Sequence, residues 1–161
     1  MAKAYKILKG LPGDGPMYVT VSNGYSYTPN YSEGFVVKFF KSNGEEWVAN
    51  FKLGIGQIDE VFELADANLL VVAGGLTYIM NPDYETPVAT FRTNFKGALQ
   101  ASNGRIILFD NSEITIFEKD GSFWISEELS LDGLRDISID DNIIHGQYST
   151  TPAIGTGSIL L

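Results

Sequence analysis

Four times along the chain, a short run of alternating apolar and polar residues ends in a tight polar turn, and the turns recur at nearly constant intervals. The runs are Tyr18 to Gly24, Phe62 to Asn68, Leu99 to Gly104 and Ile137 to Asn142, so the turn ends are spaced 44, 36 and 38 residues apart. Alternation of this kind puts one face of a strand inward and the other outward. Asn-Gly and paired Asp/Asn residues supply the positive φ that hairpin turns require. A second series of turns, at Gly44, Asp83 and Gly121, recurs every 38 or 39 residues. No chain with this punctuation has room for long helices; the segment from Glu127 to Arg135 is broken by Gly133 and reads as a loop.

Between the turns lie further strands. Leu69–Ala73, Arg105–Phe109 and Ile143–His145 follow the first turns. Phe35–Phe40, Leu76–Met80 and Glu113–Phe117 come next, and Glu46–Phe51, Thr86–Phe91 and Ser122–Ser126 close the units. The unit is therefore expected to be a four-stranded antiparallel meander of roughly 38 residues. The last unit stops after its third strand, Gly157–Leu161, whereas Ala4–Leu8 is a strand with no unit of its own. The N-terminal strand is expected to complete the last unit, which would cover two open edges.

Four strands per unit, a period near 40 and Asx-Gly hairpins resemble β-propeller blades of the NHL, quinoprotein-like and WD40-like groups. The stretch Ile114-Thr-Ile-Phe-Glu-Lys-Asp-Gly121 carries the resemblance best. It implies an all-β, β-propeller-like single domain over residues 1–161, with four blades closing either as one chain or as an eight-bladed homodimer. A β-sandwich or barrel made from the same hairpins is the alternative. The resemblance implies a scaffold and no activity.

Composition narrows the chemistry. With no cysteine and one histidine, thiol catalysis, thiolate metal sites and multi-histidine metal centres are excluded. No cofactor or metal is expected. The net charge is −9, split as +2 over residues 1–52 and −11 over residues 53–161. Such a chain repels phosphate backbones and anionic lipid, so neither nucleic acid nor membrane is an expected partner. The N-terminus lacks the apolar core of a signal peptide, and a cytoplasmic location is expected.

Two inter-strand links stand out by length. Tyr25 to Glu33 and His145 to Thr156 are both long, tyrosine-bearing and terminated by glycine, whereas the middle units have links of two or three residues. Long loops on a rigid scaffold concentrate binding residues. The candidate binding residues are Tyr25, Tyr27, Tyr31, His145, Gln147 and Tyr148, a set suited to a protein partner or a small ligand. The leading expectation is a non-enzymatic protein-binding molecule, for example an inhibitor, immunity or phage counter-defence factor. A hydrolase or lyase using His145 and a carboxylate is the alternative, and a structural subunit of a larger assembly such as a phage particle is another. The adjacent acids Glu45-Glu46, Asp59-Glu60, Glu127-Glu128 and Asp140-Asp141 point to opposite faces wherever they lie in strands, so adjacency does not make them dyads. Trp47 and Trp124, each three residues after a turn glycine, are expected to pack between blades.

Overall fold

The computed structural model describes residues 2–15, 17–24, 32–91, 93–150 and 153–160. Among them there are fifteen strands and no helix, arranged in four small sheets, none of which closes into a barrel. The chain divides into two compact units, residues 1–94 and 95–161, each holding two sheets.

The first sheet contains β1 (Tyr5–Ile7), β2 (Val19–Val21), β3 (Phe35–Phe40) and β4 (Glu46–Phe51), in the order β1-β3-β4-β2. β3 and β4 form a hairpin in which Phe35, Val37 and Phe39 lie opposite Phe51, Ala49 and Trp47. These six face inward and pack on the second sheet, which is the meander β5 (Asp59–Glu63), β6 (Leu69–Ala73), β7 (Leu76–Met80) and β8 (Ala89–Phe91). Aromatic contacts run through this core: Phe39 to Trp47 at 4.8 Å, and Phe51 to Tyr78 of the second sheet at 5.1 Å. Every residue of β6 and β7 is buried, which explains why they read as continuous apolar runs, with Thr77 as the polar exception.

The second unit repeats the plan. β9 (Gly97–Gln100), β10 (Ile106–Phe109), β11 (Ile114–Phe117) and β12 (Phe123–Ile125) form a meander. It packs on a three-stranded sheet of β13 (Leu134–Asp140), β14 (Ile143–Thr150) and β15 (Ala153–Leu160). Ile107, Ile114 and Ile116 meet Leu134 and Ile144 in this core.

Three hairpins share one turn. At Lys41–Glu45, Ala101–Arg105 and Glu118–Ser122, the first residue's N–H bonds to the fifth residue's carbonyl, and the glycine N–H bonds back to the first carbonyl. Gly44, Gly104 and Gly121 have φ of 90°, 88° and 86°. The Asx residue before each glycine accepts the fifth residue's N–H: Asn43 at 2.9 Å, Asn103 at 3.1 Å and Asp120 at 2.9 Å. These are three-residue loops with a bulged glycine, whereas two-residue turns with both residues at positive φ occur at Asp66-Ala67, Gly74-Gly75 and Asp141-Asn142.

Two expectations are corrected. The N-terminal strand joins the first sheet, not the last. Tyr5, Lys6 and Ile7 pair with Phe39, Lys38 and Val37, and the pairing is extended by hydrogen bonds from Phe40 N–H to the Ala4 carbonyl and from Leu8 N–H to the Val36 carbonyl. The reason lies in β2, which crosses to the far side of β4 and pairs with it in parallel. The slot beside β3 is left open, and β1 fills it with Tyr5 packed on the core. The stretch from His145 to Thr156 is also not a long loop. β14 and β15 pair continuously from Ile143 with Leu160 to Thr150 with Ala153.

Candidate functional site

The β14–β15 hairpin has two unlike faces, and period-two alternation sorts the residues between them. Ile144, Gly146 and Tyr148 look toward the third sheet, opposite Ile159, Gly157 and Gly155. His145 and Gln147 look outward, opposite Ser158 and Thr156. The glycines are strand residues that make room. A Cβ at Gly155 would lie 2.2 Å from Tyr148 Cζ, and one at Gly146 would lie 2.5 Å from Ile137 Cδ1.

The inward face borders an apolar cavity of about 150 Å³, lined chiefly by Ile114, Leu129, Leu134, Ile137, Ile144 and Tyr148. The outward face carries a wide, shallow depression of about 450 Å³, lined by Asp136, His145, Gln147, Thr156 and Ser158. Asp136 reaches it from a β-bulge in β13, where the register shifts between Arg135 and Ser138 and Asp136 takes φ 50°. A positive φ is accessible to Asp at small cost, and the bulge re-aims its side chain relative to a regular strand.

The structure therefore divides the six expected residues. His145 and Gln147 are brought together on the outward face; Tyr148 belongs to the core face. Tyr25, Tyr27 and Tyr31 lie outside the described residues. The flanks of their segment are tied to the first unit. The Gly34 N–H donates to Asn50 Oδ1 at 2.7 Å, and Asn50 Nδ2 donates to the Ser32 carbonyl at 3.0 Å. At the other flank, Asn23 Nδ2 donates to the Phe91 carbonyl at 3.0 Å.

Thr156, Ser158 and Asp136 were not among the expected residues. Counting in twos along Gly155-Thr-Gly-Ser-Ile159 would have found the first two; no local signal marks the bulge that delivers Asp136.

Two of the adjacent acids hold structural partners. Asp59 accepts the Gly74 N–H at 2.7 Å, and Glu46 pairs with Lys38 at 2.8 Å. Among the described residues, no group of three His, Cys, Asp or Glu is placed to hold a metal ion, and no helix is long and apolar enough to cross a membrane.

The two tryptophans part company. Trp47 is 3% exposed, and its indole N–H donates to the Pro82 carbonyl at 2.8 Å. Trp124 is 51% exposed, so its matching position in the repeat does not give it matching packing.

Comparison with protein-family models, with curated proteins and with solved structures finds no match to this chain.

Proposed function

We propose that the chain is a non-enzymatic protein-binding module on a propeller-like scaffold, and that it presents the outward face of β13–β15 to a protein partner. The supporting observation is the pair of neighbouring cross-strand couples His145–Ser158 and Gln147–Thr156. They set four hydrogen-bonding side chains on one rigid hairpin; His145, Thr156 and Ser158 are exposed. Paired strands hold these groups in fixed spacing, so little ordering entropy is lost on binding. The net charge of −9 favours a partner with a basic surface. Face-to-face packing of successive small sheets within each unit is consistent with blades.

The test is comparative capture. Immobilised wild type is set against a His145→Ala/Gln147→Ala/Thr156→Ala variant that melts cooperatively. The expected result is a discrete protein retained by the wild type and lost by the variant. Equal retention by both would exclude this face.

One observation favours a second reading. Asp136, at positive φ on a bulge, shares the depression with the chain's only histidine. A carboxylate and an imidazole lining one depression are the parts of acid–base chemistry on a sugar or similar polar small molecule. Hydrolysis of a panel of chromogenic glycosides by the wild type, lost in both Asp136→Asn and His145→Ala, would establish it. No turnover would leave the binding module standing.

A further inference from the structure

We infer that two copies of this chain pair through the β15 edges, so that the second copy's β15 adds a fourth strand to each β13–β15 sheet. Three independent observations converge on that edge.

The first is the count of strands. The second and third sheets each have an outer fourth strand, β8 beside β7 and β12 beside β11. The fourth sheet ends at β15, and among the described residues no backbone group outside β14 bonds to it.

The second is the character of the edge. Sheet edges are ordinarily protected by shortness, charge or a bulge. β1 is three residues long and carries Lys6; β2, β8 and β12 are three residues each; β5 carries Asp59, Glu60 and Glu63; β9 has four residues. β13 is charged and bulged. β15 is eight residues long, regular and without charge or proline. In a chain of net charge −9, an uncharged strand is where a second copy can approach without like charges meeting.

The third is Trp124. It lies opposite Ile116 across β11–β12, and so shares the face of the third sheet that the fourth sheet covers. Trp47, at the equivalent place after its turn glycine, is closed over by Pro82, in the link between β7 and β8 of the next sheet. Trp124 stands open in a groove of about 330 Å³ with Ile116, Ile159 and Leu160, bordered by the Arg105–Glu118 ion pair, whose two charges offset each other. Among the described residues its indole N–H meets no acceptor. Leu160 is 77% exposed.

A two-fold axis perpendicular to the sheet keeps each strand's inward face inward. With Gly157 opposite its own copy, Thr156 falls opposite Ser158 of the second copy. The inward residues arriving over Trp124 are then glycine-rich and leave space for the indole, as Gly155 leaves space for Tyr148. The occupant is thus a second copy, matched to the edge in length and neutrality, and the surface used is the edge and its groove rather than the outward face.

Sedimentation velocity and native mass spectrometry test this on the full chain. The expected species at micromolar concentration has about twice the mass of the 17.7 kDa chain. Trp124→Arg and Leu160→Lys, both at exposed positions, should each weaken self-association about tenfold or more. Acrylamide quenching supplies a local readout. One of the two tryptophans is quenchable in dilute protein and becomes protected as concentration rises, whereas Trp47 is protected throughout. A monomer at all concentrations, or a dimer unaffected by both substitutions with Trp124 still quenchable, would overturn the proposal. Partner capture by the outward face is expected to survive Trp124→Arg, which keeps the two proposals separable.

Discussion

Tyr148 and Gly155 face each other across the β14–β15 ladder, and the tyrosine ring occupies the place where a side chain at 155 would begin. An alanine there would set its Cβ 2.2 Å from Tyr148 Cζ. Gly155→Ala is therefore expected to displace the ring and destabilise the protein by about 1–3 kcal/mol. Tyr148→Ala in the same chain should relieve the crowding, so the double variant loses less than the sum of the singles. Urea denaturation of the four proteins measures that coupling; strict additivity would refute the contact.

Asn50 is fully buried and holds Gly34 and Ser32 through both ends of its amide. Asn50→Ala leaves a half-buried N–H and a half-buried carbonyl without that partner, at an expected cost of about 1 kcal/mol. Hydrogen exchange at Gly34 should accelerate in the variant well beyond the exchange of β6, which does not touch this amide.

Thr77 is fully buried, and its Oγ1 has no hydrogen-bond partner among the described residues. Valine keeps the shape and removes the unsatisfied hydroxyl. Thr77→Val is expected to stabilise the chain by about 1 kcal/mol, read as a rise in melting temperature; a fall would mean that the hydroxyl is satisfied in solution.

Burial pushes the Tyr78 hydroxyl up to about 12, against a smaller lowering by the Asn23 backbone. The hydroxyl donates to the Lys52 carbonyl at 3.1 Å, a bond that ionisation removes. Because the folded value lies above the ordinary one of about 10, this stabilisation is complete below pH 10. It declines as the pH rises toward and through about 12. Tyr78→Phe should abolish that part of the alkaline loss of stability, and tyrosinate absorbance in the native wild type should show one group titrating later than the exposed tyrosines.

The parts of this fold legible in sequence are those settled within a few residues. Asn43-Gly44, Asn103-Gly104 and Asp120-Gly121 close their own turns, so their positions are plain and β4, β6 and β7 fall where alternation and apolar runs put them. β1 was legible as a strand but not in its place. Its partner is chosen by the parallel crossing of β2, a long-range event with no local mark. The last hairpin was hidden by Gly146, Gly155 and Gly157, which imitate loop composition while serving as strand positions beneath larger side chains.

The candidate site was legible in the same partial way. His145 and Gln147 share a face by simple alternation, and Tyr148, one residue on, must leave it. Asp136 depended on a bulge, and the exposure of Trp124 depends on how far the facing three-stranded sheet reaches, which no local signal states. Repeat position specifies where a side chain starts; the neighbouring sheet decides whether it is covered.

The repeated five-residue turns also impose an order on folding. Hairpins such as β9–β10 and β11–β12 close through contacts only a few residues apart, on a timescale of about 1–10 μs. The first sheet is different: β1 must find β3 across the intervening chain, and β2 must find β4 in parallel, before either yields a stabilising contact. Non-local pairing of this kind is slow. The N-terminal sheet is consequently expected to complete its pairing after the meanders that follow it in the chain.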